Sequence, residues 1–227
     1  METTSSPTRL WAILASIAGI VALCVTVAFR LLPQVQEAGT CLAADAVIQF
    51  EFARTPADLQ AIFGACPEKA IAAVDAVNHL DVLAYIPSYS AFAAFAALFL
   101  GGSLRRPLVL LAVLAAVIAL IADYIETLTL LRITADLSAA GPLLATSSTA
   151  AWTKFAALAA NAALLSAICL TGTPRRRIVG ALLVLPVLGT IVMALDPSRS
   201  ALLNYAYLLS WTPLLAMAIR HAVTGRS

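Results

Sequence analysis

Two carboxylates and a lysine lie inside stretches of the chain that are otherwise apolar, and these side chains have the most chemistry to offer. Asp123 and Glu126 are three residues apart, so they share one face of a helix, which Thr127 extends. Lys154 lies in the first turn of the next apolar stretch. Ionisable residues are costly inside a membrane and therefore indicate a functional site. Asp123 and Glu126 are the candidate catalytic residues, as a general acid or base, or else they contact the polar head of a ligand.

Most of the other apolar stretches also have polar side chains, at the end that would lie at the same depth in the membrane as Asp123 and Glu126. With a rise of 1.5 Å per residue, Asp123 lies about 22 Å and Glu126 about 27 Å along its helix. The simplest arrangement is one polar pocket at this depth, in which Lys154 or Arg30 balances an acid. The residues predicted to bind a ligand there are Asp81, Tyr85, Tyr89, Asp123, Glu126, Lys154, Asn161 and Tyr205. The alternative is that these residues only mark the membrane interface and fix helix packing.

Motifs for other chemistry are missing from the sequence. Asp75 and His79 have the spacing of metal ligands on a helix, but the chain has only two histidines and no H-E-x-x-H motif. There is also no P-loop and no G-x-G-x-x-G motif for a nucleotide. No basic run is interleaved with aromatic residues, as nucleic-acid binding would require. We therefore expect no metal, no cofactor and no nucleic-acid partner.

The composition identifies the elements that must position these residues. Of the 227 residues, 62% are hydrophobic and 11% are charged, whereas soluble domains have about 45–50% apolar and about 25% charged residues. The chain is therefore predicted to be an integral membrane protein with an all-α fold, a bundle of six helices. The predicted membrane-spanning helices are residues 10–32, 82–101, 108–131, 152–170, 178–195 and 201–219.

The orientation follows from the lysines and arginines, which favour the cytoplasmic side. With the N-terminus inside, eight of the fourteen basic residues but only one of the twelve acidic residues, Glu2, fall inside. The eight basic residues are Arg9, Arg105, Arg106, Arg175, Arg176, Arg177, Arg220 and Arg226. We therefore predict that both termini are cytoplasmic and that the protein is a multi-pass protein of the bacterial cytoplasmic (inner) membrane.

Residues 33–81 are predicted to form a small extracytoplasmic cap between the first and second spans. Thr55, Pro56 and Asp58 have the order of a helix start, and the helix should run to about Phe63. The alternation in residues 48–52 favours a short strand or extended piece. Residues 68–79 should form a helix that continues into the second span.

Cys41 and Cys66 both lie in the predicted cap, on the oxidising side of the membrane. A disulfide between them would cross-link the cap and stabilise it. The alternative is that both are free thiols.

Several segments together resemble an uncharacterised family of small bacterial multi-pass membrane proteins. They are Phe50-Glu51-Phe52-Ala53 with Thr55, Leu80-Asp81 with Tyr85 and Tyr89, Ala122-Asp123-Tyr124-Ile125-Glu126 and Trp152-Thr153-Lys154-Phe155. The resemblance covers about residues 10–170, and it implies one helix, an external segment and three further helices. The family pattern has Asn after the Glu, where this chain has Thr127. The resemblance implies no activity, but it groups Asp81, Asp123, Glu126 and Lys154 into one constellation.

Three functions are consistent with these patterns. The leading hypothesis is a protein that binds or moves a lipid or amphipathic small molecule through a polar pocket in the outer leaflet. The second is a membrane-embedded enzyme that acts on a lipid or isoprenoid by carboxylate acid/base catalysis. The third is a non-catalytic accessory or assembly subunit of a membrane complex. The expected partners are the lipid bilayer, a lipid or amphipathic ligand and, for the third hypothesis, another membrane protein.

Overall fold

The computed structural model of the chain describes residues 7–43, 45–101, 106–196 and 199–225. Two arginines that contribute to the predicted orientation, Arg105 and Arg226, lie outside the described residues, as does Glu2. Helices and short turns account for the secondary structure of the described residues, and no strand occurs among them.

The described residues form eleven α-helices. They are α1 (Pro7–Leu31), α2 (Pro33–Ala38), α3 (Ala46–Glu51), α4 (Pro56–Phe63), α5 (Pro67–Leu80), α6 (Ile86–Leu100), α7 (Arg106–Ala135), α8 (Gly141–Leu170), α9 (Pro174–Leu182), α10 (Leu185–Leu195) and α11 (Ser200–Thr224). A wide π-helical turn, Asp81–Tyr85, joins α5 to α6.

Within the part of the chain that the structure describes, six continuous segments are long and apolar enough to cross a bilayer. They are Pro7–Cys41, Pro67–Leu100, Arg106–Ala135, Gly141–Leu170, Pro174–Leu195 and Ser200–Thr224. Large apolar side chains stay exposed on them, for example Leu114 and Ile121 on α7, as expected of surfaces that face lipid. The predicted fold class is confirmed: the protein is an all-α, six-helix, multi-pass membrane protein.

All six spans differ by some residues from the sequence-based boundaries, and the fourth and fifth also differ in structure. The fourth was predicted to begin at residue 152, but α8 begins at Gly141. Its first turns carry serines and threonines, which lower the apolar signal although a hydroxyl can bond back to the helix. Thr153, for instance, donates to the carbonyl oxygen of Thr149 at 2.8 Å. The fifth span is divided between α9 and α10 at Leu183 and Val184.

The predicted strand or extended piece at residues 48–52 is wrong, because residues 46–51 form α3. Ala46 and Phe50 are four residues apart and are both buried, so the segment buries a helical face. The alternation of Ile48, Phe50 and Phe52 matches a strand equally well, and tertiary packing decides between the two.

The predicted start of α4 is confirmed. The Thr55 side chain accepts a hydrogen bond from the Asp58 backbone N–H at 3.2 Å, and the Asp58 carboxylate accepts from the backbone N–H of Thr55 at 2.9 Å. The same carboxylate accepts from the backbone N–H of Arg54 at 2.8 Å. This bond above all holds the pKa of Asp58 below its usual value, because it favours the ionised form.

The chain divides into two compact units. The first comprises Met1–Val21, Ser88–Ala119 and Phe155–Ser227. Its core combines small residues with larger ones: Ala12, Ala96 and Ala112 are fully buried, and Phe92 and Leu165 pack in the same cluster. Alanines allow helix backbones to approach closely, which is a common source of packing energy in membranes.

The second unit comprises Ala22–Pro87 and Leu120–Lys154, and it contains the cap. Phe50 of α3 and Phe63 of α4 are fully buried edge to face, with ring centroids 5.0 Å apart. They belong to the same cluster as Leu130 and Ile133 of α7 and Leu144 of α8. The cap is therefore held by apolar contacts to the ends of two spans, in addition to its own helices.

A disulfide joins Cys41 to Cys66, as predicted for the cap. The Cα atoms of the two residues are 5.5 Å apart and 25 residues separate them in sequence. The bond connects the short turn after α2 to the residue that precedes α5. It therefore closes a loop that contains α3 and α4 and limits how far the cap can open.

Replacing Cys41 by Ser should loosen the cap, because the loop between residues 41 and 66 regains conformational freedom. We expect faster amide hydrogen exchange in α3 and α4 than in the wild type. The matched control is Cys24→Ser, since Cys24 is an exposed cysteine of α1 outside the disulfide. Unchanged exchange in Cys41→Ser, or alkylation of Cys41 in the unreduced wild type, would contradict the role of the bond.

Candidate functional site

The centre of the candidate site is the ammonium group of Lys154, which contacts three carboxylates. Its Nζ atom lies 3.1 Å from Asp123 Oδ1, 2.9 Å from Glu126 Oε2 and 3.2 Å from Glu51 Oε2. All four residues belong to the second unit, where Lys154 is on α8, Asp123 and Glu126 are on α7 and Glu51 ends α3. We call Glu51, Asp123, Glu126 and Lys154 the ion cluster.

The ion cluster is buried. The exposed fraction of the side chain is 7% for Lys154, 4% for Asp123, 1% for Glu126 and 12% for Glu51. Both carboxylate oxygens of Glu126 lie 2.9 Å from Lys154 Nζ. Removing charges from water costs several kcal/mol per ion, and close, multiple contacts offset that cost. The lysine is thus what allows these acids to remain in an apolar segment.

The sequence predicts Asp123, Glu126 and Lys154 as site residues, but it does not predict Glu51. If residues 48–52 formed a strand, nothing would place the Glu51 carboxylate near the spans. In the structure, helix α3 buries this carboxylate beside Lys154. Burial raises the pKa of Glu51 above its ordinary value of 4.5, the Lys154 ammonium opposes this rise and Asp123 adds to it. The sequence feature that indicates burial of Glu51 is its position between Phe50 and Phe52.

The polar face of α7 continues beyond the ion cluster. The hydroxyl of Thr127 donates to Asp81 Oδ2 at 3.3 Å, and the hydroxyl of Thr134 donates to Asp75 Oδ1 at 2.6 Å. The Tyr124 hydroxyl donates to the carbonyl oxygen of Val82, within the π-helical turn, at 3.1 Å. The turn is thus joined to α7 at Asp81 and at Val82, and the predicted residue Asp81 is hydrogen-bonded to α7 directly.

Of the other predicted ligand residues, only Tyr85 belongs to the unit that contains the ion cluster. In the second unit, the Tyr85 ring packs on Phe29 with centroids 5.4 Å apart. Tyr89, Asn161 and Tyr205 belong to the first unit. Tyr89 is buried with its ring 6.1 Å from Trp211, the Asn161 side-chain amide donates to the carbonyl oxygen of Ala112 at 2.8 Å, and Tyr205 is 63% exposed. Asn161 therefore joins α8 to α7 within its unit.

Arg30 and His79 do not belong to the ion cluster. Arg30 is exposed and its backbone carbonyl accepts a hydrogen bond from Gln36, whereas Lys154 makes the ion pairs with the acids. His79 contacts the backbone oxygen of Asp75 through Nδ1 at 2.7 Å. Among the residues that the structure describes, no group of His, Cys, Asp or Glu side chains has an arrangement that would hold a metal ion.

A surface groove of about 470 Å³ runs between α7 and α8. It is lined by Ala122, Ile125, Ala145, Thr146, Thr149, Ala150 and Thr153. Ala122 and Thr153 directly precede Asp123 and Lys154 in the chain, so the groove and the ion cluster use neighbouring residues of the same two helices. The lining is small and mostly apolar, and three threonines supply its hydroxyl groups.

Lys154→Met should strongly destabilise the protein, because it leaves three carboxylates buried without their cation. We expect the free energy of unfolding to fall by about 3–5 kcal/mol, measured in detergent by thermal or denaturant unfolding. Arg132→Met is the matched control, since Arg132 is an exposed cation of α7. Adding Asp123→Asn and Glu126→Gln to Lys154→Met should recover part of the loss. A single variant as stable as the wild type would contradict the assignment.

Glu51→Gln should change how stability depends on pH. Because the pKa of Glu51 is raised in the folded protein, the fold retains a proton that the unfolded chain loses above about pH 4.5. As pH rises from that value, the wild type should therefore lose stability relative to Glu51→Gln, until Glu51 ionises in the fold. Melting temperatures of both proteins across this range test the prediction. Glu68→Gln, which removes an exposed carboxyl, should follow the wild type; parallel profiles for Glu51→Gln would refute it.

Comparisons with protein-family models, with curated proteins and with solved structures found no match to this chain. The candidate site therefore has to be interpreted from its own geometry and charge.

Proposed function

We propose that this multi-pass membrane protein binds or moves a lipid or another amphipathic small molecule, at a site formed by the ion cluster and the groove between α7 and α8. One observation carries the proposal: four ionisable side chains are buried together where two apolar spans meet the cap. Ionisable groups at such depth are rarely kept without a function.

The charge of the ion cluster supports a binding role over a packing role. A pair that only fixes two helices needs one acid for one lysine, whereas here three carboxylates surround a single ammonium group. If all four groups are ionised, the cluster has a formal charge of −2. Such an excess is offset by protons or by a ligand with a positive or hydrogen-bond-donating head. The three carboxylates are therefore the groups that would contact the head of the ligand.

The groove supports an amphipathic ligand over a wholly polar one. Its volume of about 470 Å³ is within the range of about 300–1,000 Å³ typical of small-molecule sites. The alanines and Ile125 would contact the apolar chain of the ligand. Thr146, Thr149 and Thr153 offer hydroxyl groups along one side. A ligand with its chain in the groove would have its head near Asp123 and Lys154.

The orientation of the site belongs to the same proposal. The arginines at the beginning of α1, α7 and α9 and at the end of α11 favour the cytoplasm. The ion cluster and the cap, with its disulfide, then lie on the outer side of a bacterial inner membrane, which is an oxidising environment. Both termini are cytoplasmic in this arrangement, and the ligand reaches the site from the outer leaflet.

Native mass spectrometry of the detergent-purified protein tests the proposal. The wild type should retain a defined amphipathic mass, which Asp123→Asn removes because it weakens the contact with the head. Ala150→Leu should also reduce retention, because it fills the groove without changing the charge. Glu37→Gln is the matched control for the loss of a carboxylate, since Glu37 is exposed on α2.

Two results would overturn the proposal. One is a bare protein in the wild type and in Asp123→Asn, with equal stability. The other is a bound mass that persists in both Asp123→Asn and Ala150→Leu while these variants remain folded, because such a molecule would lie elsewhere on the surface.

A further inference from the structure

Arginines collect at one end of the first unit. The six described residues are Arg9 at the start of α1, Arg106 at the start of α7, Arg175, Arg176 and Arg177 at the start of α9 and Arg220 near the end of α11. We call these six residues the arginine end. They are independent of the ion cluster, which belongs to the second unit.

Contacts between helix ends join the starts of α1 and α9 to the ends of α11 and α6. Arg9 Nε donates to the carbonyl oxygen of Ala222 at 3.1 Å, which joins the start of α1 to the end of α11. Arg176 Nη2 donates to the carbonyl oxygen of Leu100 at 2.8 Å, which joins the start of α9 to the end of α6. The Phe99 ring is 5.2 Å from the His221 ring, so α6 and α11 also meet at their ends.

Among the described residues of the first unit, no acidic side chain forms an ion pair with the arginine end. Asp196 is the one acidic residue that the structure describes there, and it pairs with Arg199 after α10. The side chains of Arg106, Arg175 and Arg220 are exposed and make no hydrogen bond or ion pair with other described residues. Three guanidinium groups are thus available to bind anions, and guanidinium is well suited to phosphate.

Exposed apolar residues lie close in sequence to members of the arginine end. Leu10 follows Arg9, Ile178 follows Arg177, and Ile219 precedes Arg220; they are 46%, 64% and 37% exposed. Leu110 and Leu111, one turn after Arg106, are also exposed. Because these side chains face the acyl chains of the bilayer, a phospholipid whose phosphate binds the arginines would also cover this apolar belt.

We infer that the arginine end binds anionic phospholipids, whose phosphates contact Arg106, Arg175 and Arg220 while their acyl chains cover the adjacent apolar belt. Each basic residue near a charged membrane surface adds to such binding. The site would anchor this end of the bundle to one leaflet.

Titration of the detergent-purified full chain with dioleoyl phosphatidylglycerol and dioleoyl phosphatidylcholine, read by native mass spectrometry, tests the inference. The anionic lipid should bind at least about tenfold more tightly. The triple variant Arg106→Gln/Arg175→Gln/Arg220→Gln should remove this preference. The matched control is Arg54→Gln/Arg132→Gln, which removes two exposed arginines of the second unit and should keep it. Asp123→Asn should keep it as well, which separates this site from the proposed ligand site.

Three results would overturn the inference: equal affinity for the two lipids, an unchanged preference in the folded triple variant, or displacement of phosphatidylglycerol by millimolar inorganic phosphate. The last would indicate a site for free phosphate. If the triple variant does not fold, the salt dependence in the wild type decides. The preference should weaken as NaCl rises from about 0.05 M to about 0.5 M because salt screens exposed charges, and a constant preference would refute the inference.

Discussion

The contact of one lysine with three carboxylates is the constraint on which the second unit depends. Lys154 lies within 3.2 Å of acids from two different helices, α7 and α3. None of these acids is stable in an apolar environment by itself, and a lysine there would be equally costly. Positions of α3, α7 and α8 are therefore linked by charge as well as by apolar packing. A displacement of any one of the three helices would separate a buried ion from its partner.

The cap positions one of these carboxylates, that of Glu51, beside Lys154. Helix α3 has six residues, too few for stability by itself, and it is held by Phe50 against Phe63 and the ends of α7 and α8. The disulfide closes the loop that contains α3 and α4, and the Phe52 ring packs on Trp152 with centroids 4.8 Å apart. These restraints place Glu51 beside Lys154. The cap thus completes the ion cluster.

The two proposed sites use opposite charges and different units. The ion cluster has more carboxylates than cations and is buried, whereas the arginine end has exposed guanidinium groups and no described acid near them. If both proposals hold, buried contacts would select the ligand of the ion cluster, and exposed charge would attract anionic head groups to the arginine end. A protein that handles an amphipathic molecule in one leaflet would gain from a fixed anchor to anionic lipids, since its bundle would be held at a constant depth.

Composition and periodicity determined the fold class, the six spans and the start of α4, because apolar length and helix capping are local properties of the chain. Depth along a helix and face spacing also grouped Asp123 and Glu126 with Lys154. Tertiary structure alone decided that residues 46–51 are helical and that Glu51 reaches Lys154, since a five-residue alternation is compatible with either conformation. It also decided that Asn161 bonds within the first unit and that Tyr205 is exposed. The rotation and packing of the helices determine which polar faces come into contact. Rotation and packing depend in turn on many contacts between residues that are distant in sequence.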